Sequence, residues 1–175
     1  MLKLLLEGLL RPQTATPPAP DAEALDELGQ RLQTATRTRF GRSLAIRSID
    51  AGSCNGCELE IHALGNSLYD LERFGLRFVA SPRHADVLLI TGPVTANMRE
   101  AVRRTVEATP EPRWVIAAGD CARDGGVFRG SYALTGAAEA VVPVDLHLPG
   151  CPPAPRALLA GLLALLESNR EKKAL

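Results

Sequence analysis

Two spacings of apolar residues alternate along most of this chain. From residue 43 onward, short apolar runs bounded by glycine, proline or charged residues predict strands at SLAIRSID (43–50), LRFVA (76–80), DVLLITG (86–92), RWVIAAG (113–119) and AVVPVDLHL (140–148). Between and after them, apolar positions three and four residues apart predict helices from about Glu58 to Leu71, Ala96 to Ala108 and Pro155 to Ser168. Runs such as VLLI and WVIAA are apolar at every position, which suits strands covered on both faces. Strands of that kind belong to a parallel sheet between two layers of helix. The expected fold is therefore α/β: a doubly wound, flavodoxin-like, mainly parallel sheet with flanking helices and an N-terminal extension.

That extension reads differently. RPQTATPPAP (11–20) carries four prolines and little that can pack, the mark of an extended linker. Asp21 is placed to cap a short helix reaching about Gln33, with Leu25, Leu28 and Leu32 on one face. Arg31, Arg37, Arg39 and Arg42 form a basic patch beside it. Such an arm either docks on a neighbouring subunit or packs on its own domain. The expected division is an arm and linker over 1–42, an α/β domain over 43–168 and a tail over 169–175.

Glu7 and Gly8 interrupt the leucine-rich start MLKLLLEGLL, which is far shorter than the roughly 20 residues that span a bilayer. Neither secretion nor a spanning helix is expected. Twenty basic residues balance twenty acidic ones and aromatic residues make up 4%, so neither a nucleic-acid surface nor a base-stacking platform is expected. The expected compartment is the reducing cytoplasm, where cysteines serve metal or redox chemistry more often than disulfides.

The chain's 4 cysteines are Cys54, Cys57, Cys121 and Cys151, in the segments AGSCNGCE, GDCARDGG and LPGCPPAP. Each segment follows a predicted strand. Ligands of open α/β sheets bind beyond the carboxyl ends of the strands, so the topology brings all three segments to one edge. Gly52, Gly56, Gly119 and Gly150 leave room there, and Pro152 and Pro153 stiffen the last loop. Four thiolates suit zinc or an iron-sulfur cluster. The dispersed spacing favours the cluster, since structural zinc usually takes two paired knuckles, but a structural zinc scaffold held by all four cysteines stays open.

Together, DAGSCNGCELEIHAL, SPRHADVLLITGPVT, GDCARDGGVF and VPVDLHLPGCPPAP resemble the small subunit of group 4 nickel-iron hydrogenases, the energy-converting, membrane-bound kind. Within it they are most similar to the formate hydrogenlyase and hydrogenase-4 branch, and the same family includes the 20 kDa subunit of respiratory complex I. The resemblance covers residues from about 46 to 167 and leaves the first 45 unmatched. The complex I subunit has two adjacent cysteines in its first motif. Here Asn55 and Gly56 separate Cys54 from Cys57, as in the hydrogenase branch.

The resemblance implies that Cys54, Cys57, Cys121 and Cys151 bind one 4Fe-4S cluster, the proximal one. It would carry electrons between a ferredoxin-like subunit and the nickel-iron site of a separate large subunit. It also implies membrane subunits as partners, a peripheral position on the inner face of the cell membrane, and no catalytic residue in this chain. A complex I-like NADH/quinone oxidoreductase subunit is the alternative within the family.

Glu58 follows the second cysteine, where it either tunes the potential or relays protons, or simply favours the first turn of a helix. Arg83 and His84, also in the family motif, either approach the cluster or shape the turn before DVLLITG with Asp86 as partner. Glu60 is expected to be solvated or paired. His62 is expected on a helix surface and His147 in a structural place at a strand end. Asp120, Arg123 and Asp124 form a charged rim beside Cys121 that is either solvated or a docking surface.

Overall fold

The computed structural model describes residues 22–168. The proline-rich linker, the capping position Asp21 and the tail from 169 lie outside them. In chain order the helices are α1 (Ala22–Phe40), α2 (Gly56–Ala63), α3 (Arg99–Ala108), α4 (Asp120–Asp124) and α5 (Pro155–Glu167). The strands are β1 (Leu44–Asp50), β2 (Leu76–Phe78), β3 (Val87–Thr91), β4 (Val94–Thr95), β5 (Trp114–Ala118), β6 (Leu134–Gly136) and β7 (Leu146–Leu148).

Five strands form one sheet in the order β2-β1-β3-β5-β7, and all four neighbouring pairs are parallel. The chain moves from β1 to β2 on one side and then returns to place β3 on the other side of β1. That reversal is the switch point where doubly wound sheets open a crevice.

Alternation within the apolar runs explains why both faces are covered. On β3, Val87 and Leu89 face a core built with α1, α2 and α5, together with Trp114 and Ile116 of β5. Leu88 and Ile90 face the other core, with Val115, Ala117 and the α3 residues Val102 and Val106. Every residue of β3 and β5 is buried. Full burial of each large aliphatic side chain contributes about 1.5–3 kcal/mol.

Helix α1 packs on its own domain. Leu25 and Leu32 are buried in the first core, Arg31 pairs with Glu167 at 2.8 Å, and Arg39 donates to the carbonyls of Leu166 and Ser168 near the end of α5. Much of the basic patch is thus spent within the molecule, and the helix continues to Phe40 rather than stopping near Gln33.

Three other expectations change. The helix expected to reach Leu71 ends at Ala63, because Asn66 Oδ1 accepts the amides of Leu68 and Tyr69 and turns the chain. Only Leu146–Leu148 of AVVPVDLHL pairs in the sheet; Pro143 lacks an amide proton and a 3-10 turn occupies Ala138–Ala140. A small antiparallel pair, β4 with β6, was not expected at all.

At the amino ends of the strands, the nearly buried Asp86 accepts both terminal nitrogens of Arg42, at 2.9 and 2.6 Å, and the Ala45 amide at 2.9 Å. Asp86→Asn is expected to destabilise the fold by about 1–2 kcal/mol, Arg42 being half exposed and so screened. The check is a lower urea midpoint with unchanged slope; an unmoved midpoint would mean that the Arg42 clamp does not form in solution.

Candidate metal centre

The loops after β1, β5 and β7 meet at the carboxyl edge of the sheet, beside the switch point. Cys54, Cys57, Cys121 and Cys151 line one cavity there with Ser53, Gly92, Asp120, Gly150 and Pro152. Its volume is about 70 Å³, against the roughly 10–15 Å³ that a single water requires. The topological argument from the sequence thus brings together all four thiols. Cys57 and Cys121 are buried, whereas Cys54 and Cys151 are exposed, so the cavity has a packed floor and an open rim.

Backbone hydrogen bonds tie the loops together. Gly119 N donates to Leu148 O and Asp120 N to Gly150 O, both at 2.8 Å. In return Gly150 N donates to Asp120 Oδ1 at 3.2 Å. On the other side Asp50 Oδ1 accepts the amides of Gly52 and Ser53 at 2.8 and 2.7 Å, which folds the chain back just before Cys54. Asn55 takes a left-handed conformation at φ 70° and starts α2, so that Cys57 enters from the first helical turn.

The buried thiols are hard to ionise in the absence of a cation. Burial first, then the charges of Glu58 and the other three cysteines, pushes Cys57 up to about 12. Cys121 is raised by burial and by Cys151, while a hydrogen bond from the Val127 amide acts the other way. Four thiolates gathered here repel one another unless positive charge lies between them, so metal binding must displace protons. Among the described residues no group of three or more His, Cys, Asp or Glu is arranged to hold a single metal ion.

Glu58 sits beside Cys57 but does not line the cavity. Its carboxylate accepts the Ser53 hydroxyl at 2.6 Å and the hydroxyl of the buried Thr91. Neither hydroxyl was singled out from the sequence; a Ser before the first cysteine and a Thr ending an apolar strand were the available signals. On its far side Glu58 borders a second pocket of about 330 Å³ with Arg47, Ser48 and the exposed His62.

Arg83 and His84 are not brought to the thiols. They lie in a 3-10 turn, Pro82–His84, immediately before β3. The cysteine loops follow their strands, so the two residues stand at the opposite edge of the sheet, near Arg42, Arg77 and Glu111. Their place fits the turn-shaping role, with a different partner: Asp86 pairs with Arg42, and Ser81 Oγ accepts the Arg83 amide. His147, on β7, has Glu139 3.7 Å away.

The charged residues around Cys121 satisfy one another. Arg123 reaches Asp120 at 3.4 Å and Asp124 at 3.1 Å, and Arg129 reaches Asp124 at 2.8 Å. The Gly126 amide, then Arg129 and Arg123, hold the Asp124 carboxyl down to about 2, so it is ionised at any neutral pH. Past this network the surface turns apolar: Val127 is 80% exposed and Tyr132 fully so, with Phe128 and, on α2, Leu59 also exposed.

Residues 54–165 match the family described as NADH ubiquinone oxidoreductase, 20 Kd subunit. Formate hydrogenlyase subunit 7 of Escherichia coli is 41% identical over 167 residues, which are 94% of this chain and 65% of that protein. The chain thus spans just under two thirds of that relative, and the match reaches into the first 45 residues, where the motifs alone showed no resemblance. A probable membrane-bound hydrogenase subunit of Pyrococcus furiosus, mbhJ, is 48% identical over 128 residues, 73% of this chain and 77% of its own. Among solved structures, a chain of the membrane-bound sulfane sulfur reductase, an archaeal respiratory membrane complex, superposes with a TM-score of 0.63 at 32% identity. That match covers 85% of this chain and 75% of the other.

Proposed function

The chain belongs to the 20 Kd subunit family of NADH ubiquinone oxidoreductase, and from that membership we propose that it is the electron-transfer subunit of a membrane-associated nickel-iron hydrogenase complex. Cys54, Cys57, Cys121 and Cys151 would hold one 4Fe-4S cluster. The observation that carries this reading is the convergence of all four thiols on one cavity at the switch point of the sheet.

The donor set fits the cluster better than zinc. One Cys-x-x-Cys pair is joined by two lone cysteines from separate loops, whereas structural zinc usually takes two paired knuckles. When bound, the cluster would supply one-electron exchange between a ferredoxin-like subunit and the nickel-iron site of the large subunit. The chain's own residues set the conditions. Burial of Cys57 and Cys121 lowers the local dielectric. Glu58, anchored by Ser53 and Thr91, places a fixed carboxylate against Cys57 and so bears on the potential. Leu59, Val127, Phe128 and Tyr132 provide an apolar rim for the large subunit to cover.

The Cys54-Asn55-Gly56-Cys57 spacing supports the hydrogenase branch over quinone reduction. Among the described residues no helix is long and apolar enough to cross a membrane. Attachment through partner subunits is therefore part of the proposal. Anaerobically purified protein is expected to be brown, to carry about four irons per chain and to give an electron paramagnetic resonance signal on reduction. A colourless preparation with one zinc per chain would replace this reading with the structural scaffold.

A further inference from the structure

The segment after Cys121 contains a device that neither the fold nor the ligand set requires. Two successive glycines with positive φ, Gly125 at 90° and Gly126 at 50°, end α4 and fold the chain back over the cysteine. The return is so close that a Cβ built on Gly126 would lie 2.7 Å from Cys121 Sγ and 3.1 Å from its Cα. The amide of Gly126 donates to Asp124 Oδ1 at 2.9 Å. The same close approach lays the next peptide, Gly126–Val127, against the Cys121 sulfur.

Asp124 is itself held in place. Arg123 and Arg129 approach its other carboxylate oxygen at 3.1 and 2.8 Å, and Arg129 Nε donates to the Asp124 carbonyl at 2.9 Å. The 3-10 turn Gly126–Phe128 closes with Phe128 N on Gly125 O and Arg129 N on Gly126 O. Each of these contacts restricts the orientation of the Gly126–Val127 peptide.

We propose that Asp124 is a positioning residue for the Cys121 ligand: clamped by Arg123 and Arg129, its carboxylate fixes the Gly126 amide, which aims the Val127 amide at the ligand sulfur and raises the reduction potential of the cluster. The inference rests on the cluster reading above. Its sign follows from charge. Reduction puts more negative charge on the sulfurs, so an N–H donor stabilises the reduced state more than the oxidised one. Asp124 acts on sulfur through the peptide; loss of its charge leaves Arg123 and Arg129 uncompensated and pushes the midpoint the other way, so a negative shift marks the lost donor.

The test is potentiometry of the intact complex, wild type against Asp124→Ala and Asp124→Asn, with iron content measured alongside. Electron nuclear double resonance of the reduced protein in heavy water reads the exchangeable amide deuteron near the cluster. Asp124→Ala is expected to keep its iron, shift the midpoint to a more negative value and lose one deuteron coupling. Asp124→Asn, whose amide oxygen still accepts from Gly126 but no longer attracts Arg129, is expected to weaken that coupling without abolishing it.

Full iron with an unchanged midpoint and coupling in Asp124→Ala would overturn the proposal. If that variant loses iron, the same two readouts on Asp124→Asn decide. Loss of iron from both variants would also overturn it, since Asp124 would then be holding the loop rather than aiming one amide. A wild-type complex without the cluster removes the underlying reading as well, which separates that failure from this one.

Discussion

Cys57→Ser, made in the full complex, is expected to strip the chain of its iron and its paramagnetic signal, and to take electron transfer with them. Cys57 is the thiol from which most follows. It is 9% exposed, it enters from the first turn of α2, and its ionisation is opposed by the charges of all three other cysteines, which places it within electrostatic reach of each. A serine hydroxyl is a poorer ligand for iron than a thiolate, and at a buried site no water can readily replace it. Cys54→Ser, at the exposed rim, is expected to have a smaller effect, leaving a measurable fraction of iron because solvent can complete that corner. Iron per chain and the reduced spectrum are the measurements. A Cys57→Ser protein with wild-type iron and signal would remove Cys57 from the ligand set.

Gly119→Ala is expected to be nearly as damaging without touching a sulfur. Gly119 links β5 to α4 at φ 90° and ψ 158°, a conformation in which side-chain-bearing residues are strained. Its amide is held by Leu148 O, so the backbone cannot swing aside cheaply. An added Cβ would lie 2.8 Å from Cys57 Sγ and 3.4 Å from Gly150 O. Backbone strain of about 1–3 kcal/mol and overpacking of a similar size lead to an expected loss of about 2–6 kcal/mol together with most of the iron. Gly130→Ala is the control. Gly130 also has a positive φ, 84°, but nothing lies within 4 Å of its added Cβ, so strain alone of about 1 kcal/mol is expected, with iron content unchanged. Equal iron in the two variants would show that Gly119 is a backbone requirement and not a wall of the cavity.

The parts of this molecule legible in the sequence are those where one physical rule acts alone. VLLI and WVIAA could only be strands covered on both faces, and β3 and β5 are buried throughout. The three cysteine segments each followed a predicted strand, so their meeting at one edge follows from parallel topology before any distance is known. Legibility ends where a side chain elsewhere decides the matter. The expected helix from Glu58 stops at Ala63 because Asn66 captures two later amides, a local signal that helical spacing outweighed. Arg83 and His84 were grouped with the cysteines by motif, although their position ahead of β3 assigns them to the other edge by the same topological rule. Asp124 drew notice only as part of a charged rim. Its hold on the Gly126 amide depends on Arg129, which no spacing rule links to it.

The uneven burial of the four thiols carries a further consequence. The buried Cys57 and Cys121 close the cavity from below, while Cys54 and Cys151 meet water from above, so in the proposed complex half of the dielectric surroundings would be supplied by the partner that covers them. Voltage readings taken on the subunit alone would therefore describe a wetter centre than the assembled one, and docking itself becomes one of the settings of the redox scale.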